Sequence, residues 1–228
     1  MAIYAHRGAS IEQPENTLAA FRRAIEIGAP GIEIDVHLTA DGVPVVIHDS
    51  SVDRTTNGEG QVAELTLAQI REFDAGNGER IPTFRETLDV VAGRCKLDIE
   101  VKASDAAAAV LAEIAHYPNL DWLISSFRWD SLEFVREQDP DAELWVLSYD
   151  ATPEAVAMGK KLGASALNLA YSFVNKDVVD RVKAEGIDVG VWTINDVDEA
   201  KRQREYGVVA ICSDDPEALK DVYAGETR

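Results

Sequence analysis

Cysteine is almost absent: Cys95 and Cys212 are the only two in 228 residues. Neither belongs to a CxxC pair or has a histidine at ligand spacing, which argues against a disulfide framework and a thiolate metal centre. Both lie in strand-like apolar stretches and read as buried free thiols of a reducing compartment. Long hydrophobic runs are missing too, since no stretch approaches the ~18 apolar residues of a membrane span. The opening Met1-Ala2-Ile3-Tyr4-Ala5-His6 has neither the basic stretch nor the apolar core of an export signal, so a cytoplasmic protein is expected. Positive charge is in deficit: 22 Lys and Arg face 41 Asp and Glu, a formal charge of −19. A field of that sign repels phosphate backbones and anionic headgroups. It argues against nucleic acid and membrane partners and demands a local remedy for any anionic substrate. No GxGxxG turn follows the first strand candidate, and no HxH or HExxH spacing occurs, which removes the dinucleotide fingerprint and the common zinc signatures. Oligomeric state carries no sequence signal.

What is present is a globular composition, 46% hydrophobic, read as one domain over residues 1–228. A chain of this length buries roughly 70% or more of the surface its unfolded form exposes, so a metal is not needed merely to hold it together. Strand candidates fall at Ala2–Arg7, Gly31–His37, Cys95–Lys102, Trp122–Phe127, Glu143–Ser148, Ala164–Leu169, Asp188–Thr193 and Val208–Cys212. Helical segments alternate with them: Leu18–Ile27, Thr83–Ala92, Asp105–Tyr117, Asp130–Gln138, Pro153–Leu162, Lys176–Glu185, Asp196–Tyr206 and Pro216–Tyr223. Alternation with short connections implies a parallel sheet, and eight units close it into an α/β TIM (β/α)8 barrel, ahead of an open doubly wound sheet.

Two insertions follow the second strand. Val43–His48 is a further strand candidate, joined by Thr39-Ala40-Asp41-Gly42, too short for a parallel crossover, so it folds back as a β-hairpin. With Asp41 and Gly42 as the central pair, His48 falls opposite Asp35. Residues 50–82, with a short helix expected over Leu67–Phe73, read as a small insertion subdomain at the barrel mouth.

Strands of a parallel barrel are covered on both faces and should be apolar throughout. Here Glu33 and Asp35 share one face of the second strand, opposite Ile32, Ile34 and Val36; Asp98, Glu100 and Lys102 share one face of the third, opposite Leu97, Ile99 and Val101. The apolar sets must meet the helices, which turns the charges inward at the mouth. Glu33, Asp35 and Glu100 would repel one another there unless a cation offsets them, and an all-oxygen set suits one divalent cation, Mg2+ or Ca2+. The competing reading is an internal ion-pair network with Lys102, Arg7 and His6; Asp98 lies one pleat deeper. His6 ends the first strand and His48 arrives by the hairpin, two imidazoles suited to act as general acid and base. Arg7, on the opposite side of the first strand from His6, and Lys102 supply fixed positive charge for an anionic, phosphorylated substrate. Trp192 is either an apolar substrate wall or barrel filling, and Phe127 is a weaker candidate of the same kind. His37, on the face away from the carboxylates, and His116, in a helix, are read as structural.

The ordered set His6-Arg7-Gly8, Pro14-Glu15-Asn16-Thr17, Glu33-x-Asp35, Asp41-Gly42-x-Pro44-Val45-Val46-x-His48-Asp49, Asp53-Arg54-Thr55-Thr56, Ile81-Pro82-Thr83, Glu100-x-Lys102 and Trp192-Thr193 resembles the glycerophosphodiester phosphodiesterase family from first strand to last helix. The resemblance implies metal-dependent hydrolysis of glycerophosphodiesters to glycerol 3-phosphate and an alcohol, with a cyclic phosphodiester on the way. It implies the same roles for Glu33, Asp35 and Glu100 at the metal, His6 and His48 as acid and base, and Arg7 and Lys102 at phosphate. Ser213 replaces the family's usual Thr and keeps the hydroxyl. The alternatives are a lysophospholipase D-like relative, for which neither an export signal nor an apolar membrane-contact surface is read, and a noncatalytic phosphate-binding barrel.

Overall fold

A computed structural model describes residues 1–223; the last five residues of the expected domain, 224–228, lie outside the described residues. Strand β1 (Ala2–His6) pairs in parallel with both β2 (Gly31–Leu38) and β9 (Ala210–Ser213), and this double pairing closes the sheet. The remaining parallel strands are β4 (Lys96–Val101), β5 (Trp122–Ser126), β6 (Leu144–Ser148), β7 (Ala166–Ala170) and β8 (Asp188–Trp192). Ring order is β1-β9-β8-β7-β6-β5-β4-β2, eight strands of a TIM barrel, and β3 (Pro44–Val46) bonds outside the ring, antiparallel to β2. Among the described residues no helix is long and apolar enough to cross a membrane.

The period of two sorts the side chains as expected. Ile32, Ile34, Val36, Leu97, Ile99 and Val101 are all fully buried in the main core between ring and helices. Inside the ring, Tyr4, Leu123, Trp145, Ala166, Ala210 and Cys212 form a separate apolar floor. The outer helices are α1 (Leu18–Ile27), α3 (Phe84–Val91), α4 (Ala106–Ile114), α5 (Trp129–Gln138), α6 (Pro153–Leu162), α7 (Lys176–Ala184), α8 (Val197–Tyr206) and α9 (Lys220–Tyr223), with α2 (Leu67–Ile70) in the insertion. Local chemistry sets their ends. Thr17, Thr83, Thr152, Asn175 and Asp196 each accept a hydrogen bond from the first turn that follows, and Gly28, Gly163 and Gly207 close helices in the left-handed conformation. The final helix starts at Lys220, not Pro216, because residues 216–219 form a turn in which Asp215 accepts from the Ala218 N–H at 3.0 Å.

Gly8 ties the exit of β1 to α1. Its φ is +83°, and a Cβ there would stand 2.7 Å from Ala20 backbone, so only glycine lets the chain leave the strand so close to the helix.

The hairpin differs from expectation by one residue. Val36 opposes Val46, and the Ile47 N–H donates to the Asp35 carbonyl at 2.9 Å, so Ile47, not His48, lies opposite Asp35. The turn holds three residues, Ala40, Asp41 and Gly42, with Gly42 left-handed at φ +76° and Thr39 bonded to Val43 at 3.0 Å. Regular pairing ends at Val46, which frees His48 to turn toward the mouth. Beyond it, Val45, Ile47, Val52, Val62, Ile70, Ala75 and Ile81 bury one another in a cluster of their own, spanning the hairpin and the insertion. The expected helix over Leu67–Phe73 is shorter, ending at Ile70.

Candidate active site

Glu33 and Asp35 of β2 and Glu100 of β4 converge at the C-terminal end of the ring. One carboxylate oxygen from each lies within 4.8 Å of the others, and all three side chains are buried. The register sets this up directly, with Asp35 beside Glu100 and Glu33 beside Asp98. The Lys102 ammonium reaches Glu100 at 2.6 Å and Asp35 at 2.9 Å. The Arg7 guanidinium lies 3.3 Å from Asp35 and 2.8 Å from Glu15. Arg7 sits just past β1 at φ 59°, and its side chain shares the His6 cavity, in place of the opposite-side position that strand alternation predicted. Asn16, itself at φ 55°, donates from Nδ2 to Asp35 at 2.8 Å.

Electrostatics divide the three acids. Burial alone would raise Asp35, but Lys102 and Arg7 overcome it and hold the carboxyl near 2. Burial, then repulsion from Asp35, pushes Glu100 up to about 7 even with Lys102 alongside, and burial with three neighbouring carboxylates pushes Glu33 well up. Two fixed cations therefore do not satisfy the set, and without further positive charge it retains protons. Glu33 Oε1 is buried with no hydrogen-bond partner. Three hard oxygen donors, a charge deficit and an unpartnered oxygen fit a divalent cation. They fit less well with the self-contained ion-pair network that the sequence left open. Asp98, pushed up to about 7 chiefly by burial, accepts from Ser125 at 2.6 Å and lines the floor of the same cavity.

Each histidine is oriented by a carboxylate. His6 Nδ1 lies 2.6 Å from Asp214 Oδ1, and His48 Nδ1 lies 2.6 Å from Asp49 Oδ1. A carboxylate accepts only, so Nδ1 carries the proton in both rings and Nε2 is left for chemistry. Both rings line the cavity that also holds Glu33, Glu100, Arg7, Lys102 and Trp192. Burial draws His48 below the ordinary histidine value, with Lys102 and Arg7 reinforcing it against Asp35 and Asp49. His37 supports from outside, its Nε2 at 3.1 Å from the His48 carbonyl, and His116 has no place in the site. Trp192 donates from Nε1 to the Asn168 carbonyl at 3.1 Å while its ring faces the cavity.

Sequence reasoning missed the groups behind these. Asp214 is held by Asn195 Nδ2 at 2.9 Å and Ser10 Oγ at 3.3 Å. Arg54, from the insertion, clasps Asp49 through Nε at 2.6 Å and Glu15 through Nη1 and Nη2 at 2.8 Å each, and Glu15 in turn holds Arg7. His48, Asp49, Arg54, Glu15, Arg7 and Asp35 thus form one chain of alternating partners. The available signals were the Asp beside His48 and the Asp pair ending the last strand.

The model of the "Glycerophosphoryl diester phosphodiesterase family" matches residues 6–218. The chain belongs to this family. A glycerophosphodiester phosphodiesterase of Caldanaerobacter subterraneus is 39% identical over 95% of this chain and 95% of that protein. Glycerophosphodiester phosphodiesterase 1 of Rattus norvegicus is 34% identical over 86% of this chain and 72% of that protein. Among solved structures, an Oleispira antarctica phosphodiesterase in complex with the product sn-glycerol-3-phosphate superposes with a TM-score of 0.94 at 30% identity, covering 98% of this chain and 97% of that one. The chain is therefore an enzyme, a phosphoric diester hydrolase on a TIM barrel.

Proposed function

We propose that the protein hydrolyses glycerophosphodiesters to glycerol 3-phosphate and an alcohol, using His6 and His48 as general acid and base. The observation that carries this reading is the pair of carboxylate-oriented imidazoles opening on one cavity with three converging acids. Glu33, Asp35 and Glu100 would hold one divalent cation, Mg2+ or Ca2+. Such an ion supplies Lewis-acid polarisation of the phosphoryl group when bound. Arg7 and Lys102 bind the phosphate oxygens, the local positive charge that a protein of net charge −19 requires.

One histidine, neutral at Nε2, takes the proton of the glycerol hydroxyl adjacent to the phosphate as its oxygen attacks phosphorus. The other, protonated, delivers its proton to the departing alcohol oxygen. The resulting cyclic phosphodiester is opened by water with the two roles exchanged. Trp192 forms an apolar wall beside the reacting centre. Residues 50–82 act as a small subdomain that secures the site through Arg54, in one domain spanning residues 1–228. Free Cys95 and Cys212 are in keeping with a cytoplasmic location and a small dissolved substrate.

The test is incubation with a panel of glycerophosphodiesters coupled to glycerol 3-phosphate detection. Release from at least one member is expected, and release from none would refute the reading.

A further inference from the structure

The described residues expose five large apolar side chains: Ile11 (61%), Phe127 (39%), Tyr149 (63%), Tyr171 (39%) and Phe173 (55%). All five lie just beyond the C-terminal end of a ring strand, after β1, β5, β6 and β7, so they surround the mouth and leave the opposite end of the barrel bare of such groups. Scattered exposed apolar residues need no explanation, but a set confined to the rim of a catalytic cavity does. Three rings make it continuous with the site. Phe127 and Tyr149 have centroids 5.5 Å apart, and each lies 5.6 Å from Trp192. Phe127 and Trp192 line the cavity with His6 and His48, while Tyr149 carries the surface out into solvent.

At these separations the rings touch one another and leave no slot between them for a quaternary ammonium group, so the arrangement is a ledge and not a cation cage. Resting on the phosphodiesterase reading, we infer that this ledge binds an apolar substituent on the leaving alcohol. The enzyme then prefers glycerophosphodiesters whose alcohol is an alkyl or aryl group, taken up as dissolved monomers. The glycerol half must bring its hydroxyls to the histidines and charges on the β1, β2 and β4 side. The alcohol half is therefore the one left against Phe127, Tyr149 and Trp192. A membrane surface is the weaker occupant, because a net charge of −19 opposes anionic bilayers.

The experiment measures kcat/KM for a series of glycerophosphoalkyl esters, methyl to hexyl, below their aggregation limits. Full burial of a methylene corresponds to about fourfold in affinity. An open ledge covers one side of the chain, so a rise of roughly twofold per methylene is expected, about thirtyfold across the series. Tyr149→Ser, at a position whose exposure spares the fold, should cut the hexyl-to-methyl ratio by roughly half or more, the ratio being taken within each variant. A flat series in the wild-type protein, or an unchanged ratio in Tyr149→Ser, would overturn the ledge while leaving the hydrolase reading intact. Failure to release glycerol 3-phosphate from any ester would overturn both. Co-sedimentation with phosphatidylcholine vesicles, lost in Tyr149→Ser, would assign the ledge to a membrane instead.

Discussion

Two arcs of the barrel mouth, built from the same repeating unit, end in opposite chemistry. Strands β1, β2 and β4 with the hairpin deliver His6, Arg7, Glu33, Asp35, His48, Glu100 and Lys102, whereas β5, β6 and β8 deliver Phe127, Tyr149 and Trp192 at their ends. In the charged arc almost every group is held by another: Asp214 orients His6, Asp49 orients His48, and Arg54 and Glu15 tie Asp49 to Arg7. In the aromatic arc, among the described residues, the polar tie that holds these three rings is the Trp192 hydrogen bond to the Asn168 carbonyl. Charges in a buried site require fixed partners to offset desolvation, while an apolar ledge requires only shape. Substitutions in the first arc should therefore be felt strongly and cooperatively, and those in the second mildly and independently.

The largest effects belong to the two imidazoles. His6→Ala and His48→Ala should each lower kcat by roughly two to four orders of magnitude with unchanged circular dichroism. Near-native turnover in either would dissolve the contrast between the arcs. Next comes the clasp. Arg54→Ala should reduce kcat/KM about 10- to 100-fold although Arg54 does not line the cavity, because Asp49 and Glu15 lose a shared partner. Arg54→Lys should recover little of this, since an ammonium cannot reproduce the forked contact to two carboxylates. Equal activity in Lys and Arg forms would reduce the clasp to a simple charge effect.

A smaller effect concerns acid stability. Burial would raise the Asp214 carboxyl, but hydrogen bonds from His6 and Asn195 prevail and hold it near 2, below the ordinary 3.8. A depressed carboxyl stabilises the folded state fully above its unfolded value and loses that contribution as pH falls through the folded value. Urea unfolding of Asp214→Asn should therefore lose less stability than wild type between pH 4 and pH 2. Parallel decline of the two proteins would place the carboxylate outside the network. The smallest change is expected in the aromatic arc, where Trp192→Phe should raise KM by roughly two- to tenfold with little effect on kcat. A collapse of kcat would move Trp192 into the charged arc's regime.

Much of this was legible in residue order. The alternation of strand and helix gave the ring, and the period of two put Glu33, Asp35 and Glu100 on the inner face. The hairpin register was not legible, because Asp41-Gly42 suits a two-residue turn as well, and the three-residue turn forms because Gly42 is left-handed while Asp41 is not. Nor was the His6 partner, since Asp214 is 208 positions away and is brought close only by closure of β1 on β9. Of the apolar rim, Phe127 and Trp192 were legible as candidate walls, whereas Ile11, Tyr149, Tyr171 and Phe173 escaped, because they come from separate segments that form no apolar run. Asp49 was hidden differently, adjacent to His48 in sequence but recognisable as its partner only from the geometry.

The most direct test is glycerol 3-phosphate release before and after metal removal. Protein stripped with a chelator and dialysed should release none from a substrate it otherwise cleaves, regain activity with Mg2+ or Ca2+, and fail to regain it in Glu33→Gln or Glu100→Gln. Undiminished release by the stripped protein would contradict the assignment of Glu33, Asp35 and Glu100 as a cation site and return them to an internal ion-pair network.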